Sequence, residues 1–170
     1  MIVLSPGHSH NHPGAVIGGH SEHAEACLWV GMLAAQLDAC SVITGTSQRK
    51  TAMIEELRPR VAIEWHFGTN HTDSTSGVVA LSPKRGCLHS LALALALEQA
   101  LPTARLMPGW YRGDETKGED FFLRVAAPAI LITVDQFDNL DHARKRQVAI
   151  LQAIVDQLRQ APPDCNSGIR

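Results

Sequence analysis

The chain has 170 residues, 45% apolar and 19% charged, enough for one complete core and too apolar for a disordered polymer. Its formal net charge is -2, so it lacks the basic surface that tracks nucleic-acid phosphates. The longest apolar run, residues 91–97, is far too short to cross a bilayer, so no integral membrane segment is expected.

Ile2–Val3–Leu4 is a brief apolar run closed by Ser5–Pro6–Gly7, the pattern of a central strand. No basic region or long apolar segment precedes it, so the expectation is synthesis in the cytoplasm without a signal peptide. Residues 9–20, rich in Gly, His, Asn and Pro, read as an active-site loop. Ser21 is placed to cap a helix whose apolar positions Ala26, Trp29, Val30, Leu33, Ala34 and Leu37 have helical spacing. Residues 41–44 read as a second strand. Ser47 then caps a helix to about Leu57, with Ala52, Met53 and Leu57 on its inner face.

Residues 61–67 form the third strand, followed by a polar loop over 68–77 carrying Asn70, His71 and Asp73. Residues 77–81 form a fourth strand ended by Ser82–Pro83, and a helix over 88–101 stops at Pro102. Segment 103–118, with Trp110 and Tyr111, reads as a substrate-facing loop, and 119–125 as a short helix. Residues 128–134 are the clearest buried strand. The final amphipathic helix spans 141–160, its apolar face made by Ala143, Val148, Ile150, Leu151, Ile154, Val155 and Leu158. The expected domain is therefore 1–160, with a flexible Pro-rich tail over 161–170. Strands alternating with helices imply a single α/β domain with a mostly parallel sheet of about five or six strands.

Sites in such sheets form at the carboxyl ends of strands. His8 and His66 sit at two such ends, and Glu22 sits at the start of the first helix. Zinc accepts neutral imidazole and carboxylate ligands and keeps one position open in catalytic sites. His8, Glu22 and His66 are thus candidate ligands of one Zn2+ ion. The competing interpretation makes His8 and His66 ordinary hydrogen-bonded residues at strand ends. Five of nine histidines fall between positions 8 and 23, and His10, His12, His20 and His23 read as surface loop residues. The four cysteines (Cys27, Cys40, Cys87, Cys165) form no C-x-x-C pair and read as buried or incidental thiols.

Ser5–Pro6–Gly7–His8, Pro13–Gly14–Ala15 and Ser21–Glu22–His23 together resemble the opening of the zinc-dependent N-acetylmuramoyl-L-alanine amidases of the Amidase_3 type. Leu33–Ala34–Ala35–Gln36–Leu37 is similar to that family's L-A-x-x-L helix, and Ile63–Glu64–Trp65–His66–Phe67 to its I-x-I-H-x-N strand, especially in phage versions. Arg112–Gly113, Leu123–Arg124, Pro128–Ala129–Ile130–Leu131–Ile132 and Phe137–Asp138–Asn139 resemble its closing motifs. The resemblance covers about residues 2–158. It implies a twisted, mostly parallel sheet flanked by helices, with His8, Glu22 and His66 as zinc ligands. It also implies hydrolysis of the amide joining muramic acid to L-alanine in peptidoglycan. Arg112 is the implied substrate-binding residue.

The chain departs from that pattern where the general base belongs. Aligning the closing motifs puts Thr133 at the position of the family's glutamate, and threonine is no ordinary base at neutral pH. Asp135 lies two residues on, about 7 Å along the strand. Glu119 and Asp120 are further candidate carboxylates, and Glu64 shares a face with His66 but equally suits support of a ligand. Ser5 stands for the family's aspartate and Gly68 for its asparagine. The expectation is a monomeric peptidoglycan amidase of phage or prophage type, a bacteriolytic endolysin that meets the wall after release. Its rivals are a weak or silent wall-binding homologue and another zinc amidohydrolase or carboxypeptidase.

Overall fold

The first apolar run carries further than its apolar residues, because Ser5 and Pro6 are buried with it: β1 spans Ile2–Pro6. The computed structural model describes residues 1–68, 79–84, 86–106, 125–137 and 140–160, with backbone alone at 135 and 136. A two-residue hairpin follows, β2 (Val16–Ile17) with β3 (His20–Ser21), turning on Gly18 and Gly19 at positive φ. The Ser21 hydroxyl accepts from Ala24 N–H at 3.2 Å and so caps α1 (Glu22–Ala34), as the sequence indicated. β4 (Cys40–Val42) leads to α2 (Ser47–Leu57), whose cap is Thr46 rather than Ser47. Then come β5 (Val61–Gly68), β6 (Val79–Pro83), α3 (Leu88–Ala100), β7 (Ala104–Leu106), β8 (Ala129–Gln136) and α4 (Leu140–Gln160).

Six strands form one sheet in the order β4-β1-β5-β8-β6-β7. The first four run parallel; β6 is antiparallel to β8 and parallel to β7. This is the mostly parallel α/β sheet that the alternation of elements implied. β7 was not foreseen. Three residues are too few for a periodic signal, and Ala104–Leu106 becomes a strand through its pairing with β6.

Alternation along β5 sorts its residues between two layers. Ile63, Trp65 and Phe67 face a large core built with α1, α3 and α4, where the Trp29 ring lies 5.3 Å from Trp65 and 5.6 Å from Phe67. Ala62, Glu64 and His66 face the opposite side. There a smaller core of Val3, Ile43, Ile54, Ala62, Val125 and Ala129 packs with Met53 and Leu57 of α2. The inner face of α2 is rotated from expectation: Lys50, Thr51 and Ile54 are buried and Ala52 is exposed. Val148, assigned to the apolar face of α4, is 80% exposed, because Ile150, Leu151, Ile154 and Val155 set that face without it.

Several expectations fall outside the described residues: most of loop 68–77 with Asn70, His71 and Asp73, the segment from 107 to 118 with Arg112, the helix over 119–124, and the tail over 161–170. No helix among the described residues is long and apolar enough to cross a membrane.

Candidate metal centre

Three elements deliver the candidate ligands to the carboxyl end of β1 and β5. β1 ends at Pro6, and its next two residues turn the chain across the tip of β5: Gly7 N–H donates to the Trp65 carbonyl at 2.6 Å. His8 then takes φ = 60°, a left-handed conformation costly for a residue with a side chain. The β2–β3 hairpin returns the chain, with Glu22 N–H on the Ala15 carbonyl and His23 N–H on that of Pro13. Glu22 becomes the first residue of α1, and its side chain is fully buried. His66 arrives from the last turn of the pleat in β5 and is 5% exposed.

One ligand atom each from His8, Glu22 and His66 lies within 4.8 Å of the others. Glu22 Oε2 is 2.9 Å from His8 Nε2, and Glu22 Oε1 is 3.2 Å from His66 Nδ1. Phe67 N–H also donates to Glu22 Oε1. His8 Nε2 is buried yet makes no aligned hydrogen bond in spite of that short approach. Two imidazoles and a carboxylate converging in this way fit a zinc ion by donor chemistry and by spacing. Burial pushes the Glu22 carboxyl up, but the nearby His66 and His8 imidazoles outweigh it and hold it below the usual carboxylate range. Burial pushes His66 down, and Glu22 and Glu64 more than offset this, so its net shift is upward.

Two glycines make room. A Cβ on Gly7 would lie 2.4–2.7 Å from the His66 ring, and one on Gly14 would lie 2.6 Å from Glu22 Oε2 and 2.7 Å from His8 Nε2. Gly14 also has φ = 75°.

Helix α1 offers a second carboxylate, Glu25, and the structure separates the two. Glu25 accepts from Trp29 Nε1 at 3.1 Å and from Arg144 Nε and Nη2 at 3.0 and 2.7 Å. It ties α1 to α4 through these bonds.

Solved structures share this architecture. The N-acetylmuramoyl-L-alanine amidase AmiC2 of Nostoc punctiforme aligns with a TM-score of 0.68 and 16% identity over 94% of both chains. The N-acetylmuramoyl-L-alanine amidase from Clostridium difficile 630 aligns at 0.70 and 11%, over 93% of this chain and 94% of that one. The catalytic domain of the CD27L endolysin targeting Clostridia Difficile aligns at 0.64 and 16%, over 96% and 98%. The fold is the amidase fold. No family model and no curated protein matches the chain.

Within the amidase fold, Thr133 of β8 lies in register with His66 and is partly exposed. The position at which sequence alignment sought a base is thus beside the candidate centre and holds a hydroxyl. Asp135 was expected on Thr133's face. The β5–β8 register shifts between Phe67 and Gly68, pairing them with Val134 and Gln136, so the simple alternation ends before Asp135. Its side chain, Glu119, Asp120 and Arg112 lie outside the described residues. His10 and His12 are exposed, as expected of loop residues; His20 is exposed too, but lies in β3 rather than in a loop. His23 is not a loop residue: it sits in α1, and its Nδ1 donates to the Gly7 carbonyl at 2.7 Å, bracing the turn before His8.

Sequence reasoning missed Lys50 altogether. It is 1% exposed, with Nζ donating to Glu64 Oε1 at 2.9 Å and to the Pro6 carbonyl at 2.5 Å. No spacing within α2 signals it, since its burial follows from Glu64 on β5.

Proposed function

We propose that the chain is a zinc-dependent N-acetylmuramoyl-L-alanine amidase that opens the lactyl–alanine amide of peptidoglycan, in the manner of a cell-wall lytic enzyme. The observation that carries this reading is the convergence of His8, Glu22 and His66 at the carboxyl end of the sheet, within 4.8 Å. The shared architecture with amidases over more than nine-tenths of both chains supports it.

His8, Glu22 and His66 would hold a zinc ion, which would supply Lewis-acid chemistry at the scissile carbonyl and lower the pKa of a water towards about 7. The chain's own part is to hold the donors. Glu22 is kept ionised by its two histidine neighbours, and Gly7 and Gly14 let the backbone close on them. Arg112 is the proposed contact to substrate, and Asp135 or Glu119 the proposed base.

The test is product analysis on purified sacculi, paired with metal stoichiometry. New lactyl carboxylates and free L-alanine amino termini are expected, with one zinc per chain that is lost in His66→Ala. Cleavage elsewhere in the peptide, or full zinc retention in His66→Ala, would overturn the assignment.

One observation favours a second reading. Thr133, not a carboxylate, stands beside His66. A homologue that binds zinc and wall but cuts slowly would show this substitution, because loss of a general base costs about 10²–10⁴-fold in rate.

A further inference from the structure

We propose that the buried pair Lys50–Glu64 is a positioning device for His66: Glu64 Oε2 accepts a hydrogen bond from Nε2–H and so presents Nδ1 to Glu22 and His8. The inference rests on the zinc reading given above and concerns residues that do not themselves touch the ion.

The geometry assigns each atom one task. Lys50 reaches from α2 to the sheet and takes Glu64 Oε1 and the Pro6 carbonyl. This fixes the Glu64 carboxylate and leaves Oε2 aimed at His66 Nε2, 3.6 Å away. Neither Glu64 Oε2 nor His66 Nε2 has a hydrogen-bond partner, although both are buried. Two unsatisfied buried atoms facing each other just beyond bonding distance are costly unless they close. The cross-strand neighbours of Glu64 are Ser5 and Leu131, so Lys50 is the cation that holds it in the sheet.

A buried ion pair is a weak source of stability compared with apolar packing, so its use here points to specification of a neighbour. His66 has one proton when it serves as a ligand, and the nitrogen that keeps it is set by the partner of that nitrogen. With Nε2 held by Glu64, Nδ1 is the ring nitrogen turned to the candidate centre, where it is hydrogen-bonded to Glu22 Oε1 at 3.2 Å in the metal-free protein. Outer partners of this kind typically alter metal affinity by about 10–100-fold.

The experiment uses the full chain and zinc alone. Zinc affinity is measured by competition with a chromophoric chelator for the wild type, Glu64→Gln, and the double variant Lys50→Met/Glu64→Leu. The double variant replaces the ion pair with apolar groups and keeps the protein testable where the single change does not fold. The expected result is zinc binding weakened by about 10–100-fold in the variants, with the melting temperature of the metal-free double variant retained. Wild-type affinity in the double variant would overturn the inference and make the pair purely structural. Nitrogen-15 NMR of zinc-loaded wild type provides a second reading: the His66 proton is expected on Nε2, and a proton on Nδ1 would overturn the proposal without any mutation. Absence of stoichiometric zinc in the wild type would remove the metal-centre reading and this inference together. Intact zinc binding with an unaltered double variant removes only the inference.

Discussion

Thr133 concentrates the functional question because its place is fixed by pairing rather than by resemblance. It lies in register with His66 on one side and Ala80 on the other, so a longer side chain there projects from the same face as His66. Its partial exposure leaves room to extend outwards. If position 133 is a vacated base site, Thr133→Glu is expected to raise amide hydrolysis by about 10²–10⁴-fold, with zinc stoichiometry unchanged. Steady-state rates on sacculi decide it. No gain in a protein that already cleaves would place the base on Asp135 or Glu119.

Helices α1 and α4 meet through Glu25 and Arg144. The Glu25 carboxylate is 4% exposed and depends on Arg144 and Trp29 for its hydrogen bonds. Arg144→Met leaves that carboxylate short of donors and is expected to destabilise the protein by about 1–3 kcal/mol, read from urea unfolding. Adding Glu25→Leu should restore most of the loss; a double variant no better than the single one would mean that the ion pair is not the cause. The long elements of this kind were legible in sequence. Ser21, the run around Trp29 and Leu33, the buried 128–134 segment and the 141–160 pattern all gave strong periodic or capping signals. β7 was not legible, since a three-residue strand exists only through its partner. The rotation of α2 was missed because burial of Lys50 follows from Glu64, fourteen residues away, and not from any pattern within the helix. In the site, the resemblance led to His8, Glu22 and His66, whereas the roles of Glu25, His23 and Lys50 depend on contacts between elements that spacing does not encode.

Taken together, these charges make the stability of the protein depend on pH in a defined direction. His66 is raised above its ordinary value of about 6.5, so its contribution to the metal-free protein is complete below that pH and is lost as pH climbs through the raised value. Glu22 is lowered, so its contribution is present above about 4.3 and is lost only as pH falls through the depressed value. The metal-free protein is thus expected to be most stable between these limits and to weaken from pH 6 to pH 8. Zinc takes the place of the proton on His66, so zinc-driven stabilisation should grow over the same interval. Urea midpoints with and without zinc at pH 6, 7 and 8 test this; a gap that stays constant would mean that His66 does not exchange its proton for the ion.

Gly7 and Gly14 have a consequence for tracing ancestry. The aligned amidases share 11–16% of their residues with this chain, too few for overall identity to mark descent. A side chain at either glycine would meet a candidate ligand at under 3 Å, so each position is closed to drift as long as the ligands keep their places. These two empty positions, spaced seven apart and bracketing His8, are a negative imprint of the site. A sequence that preserves the histidines but fills either position must shift an imidazole or the carboxylate from the place it holds here.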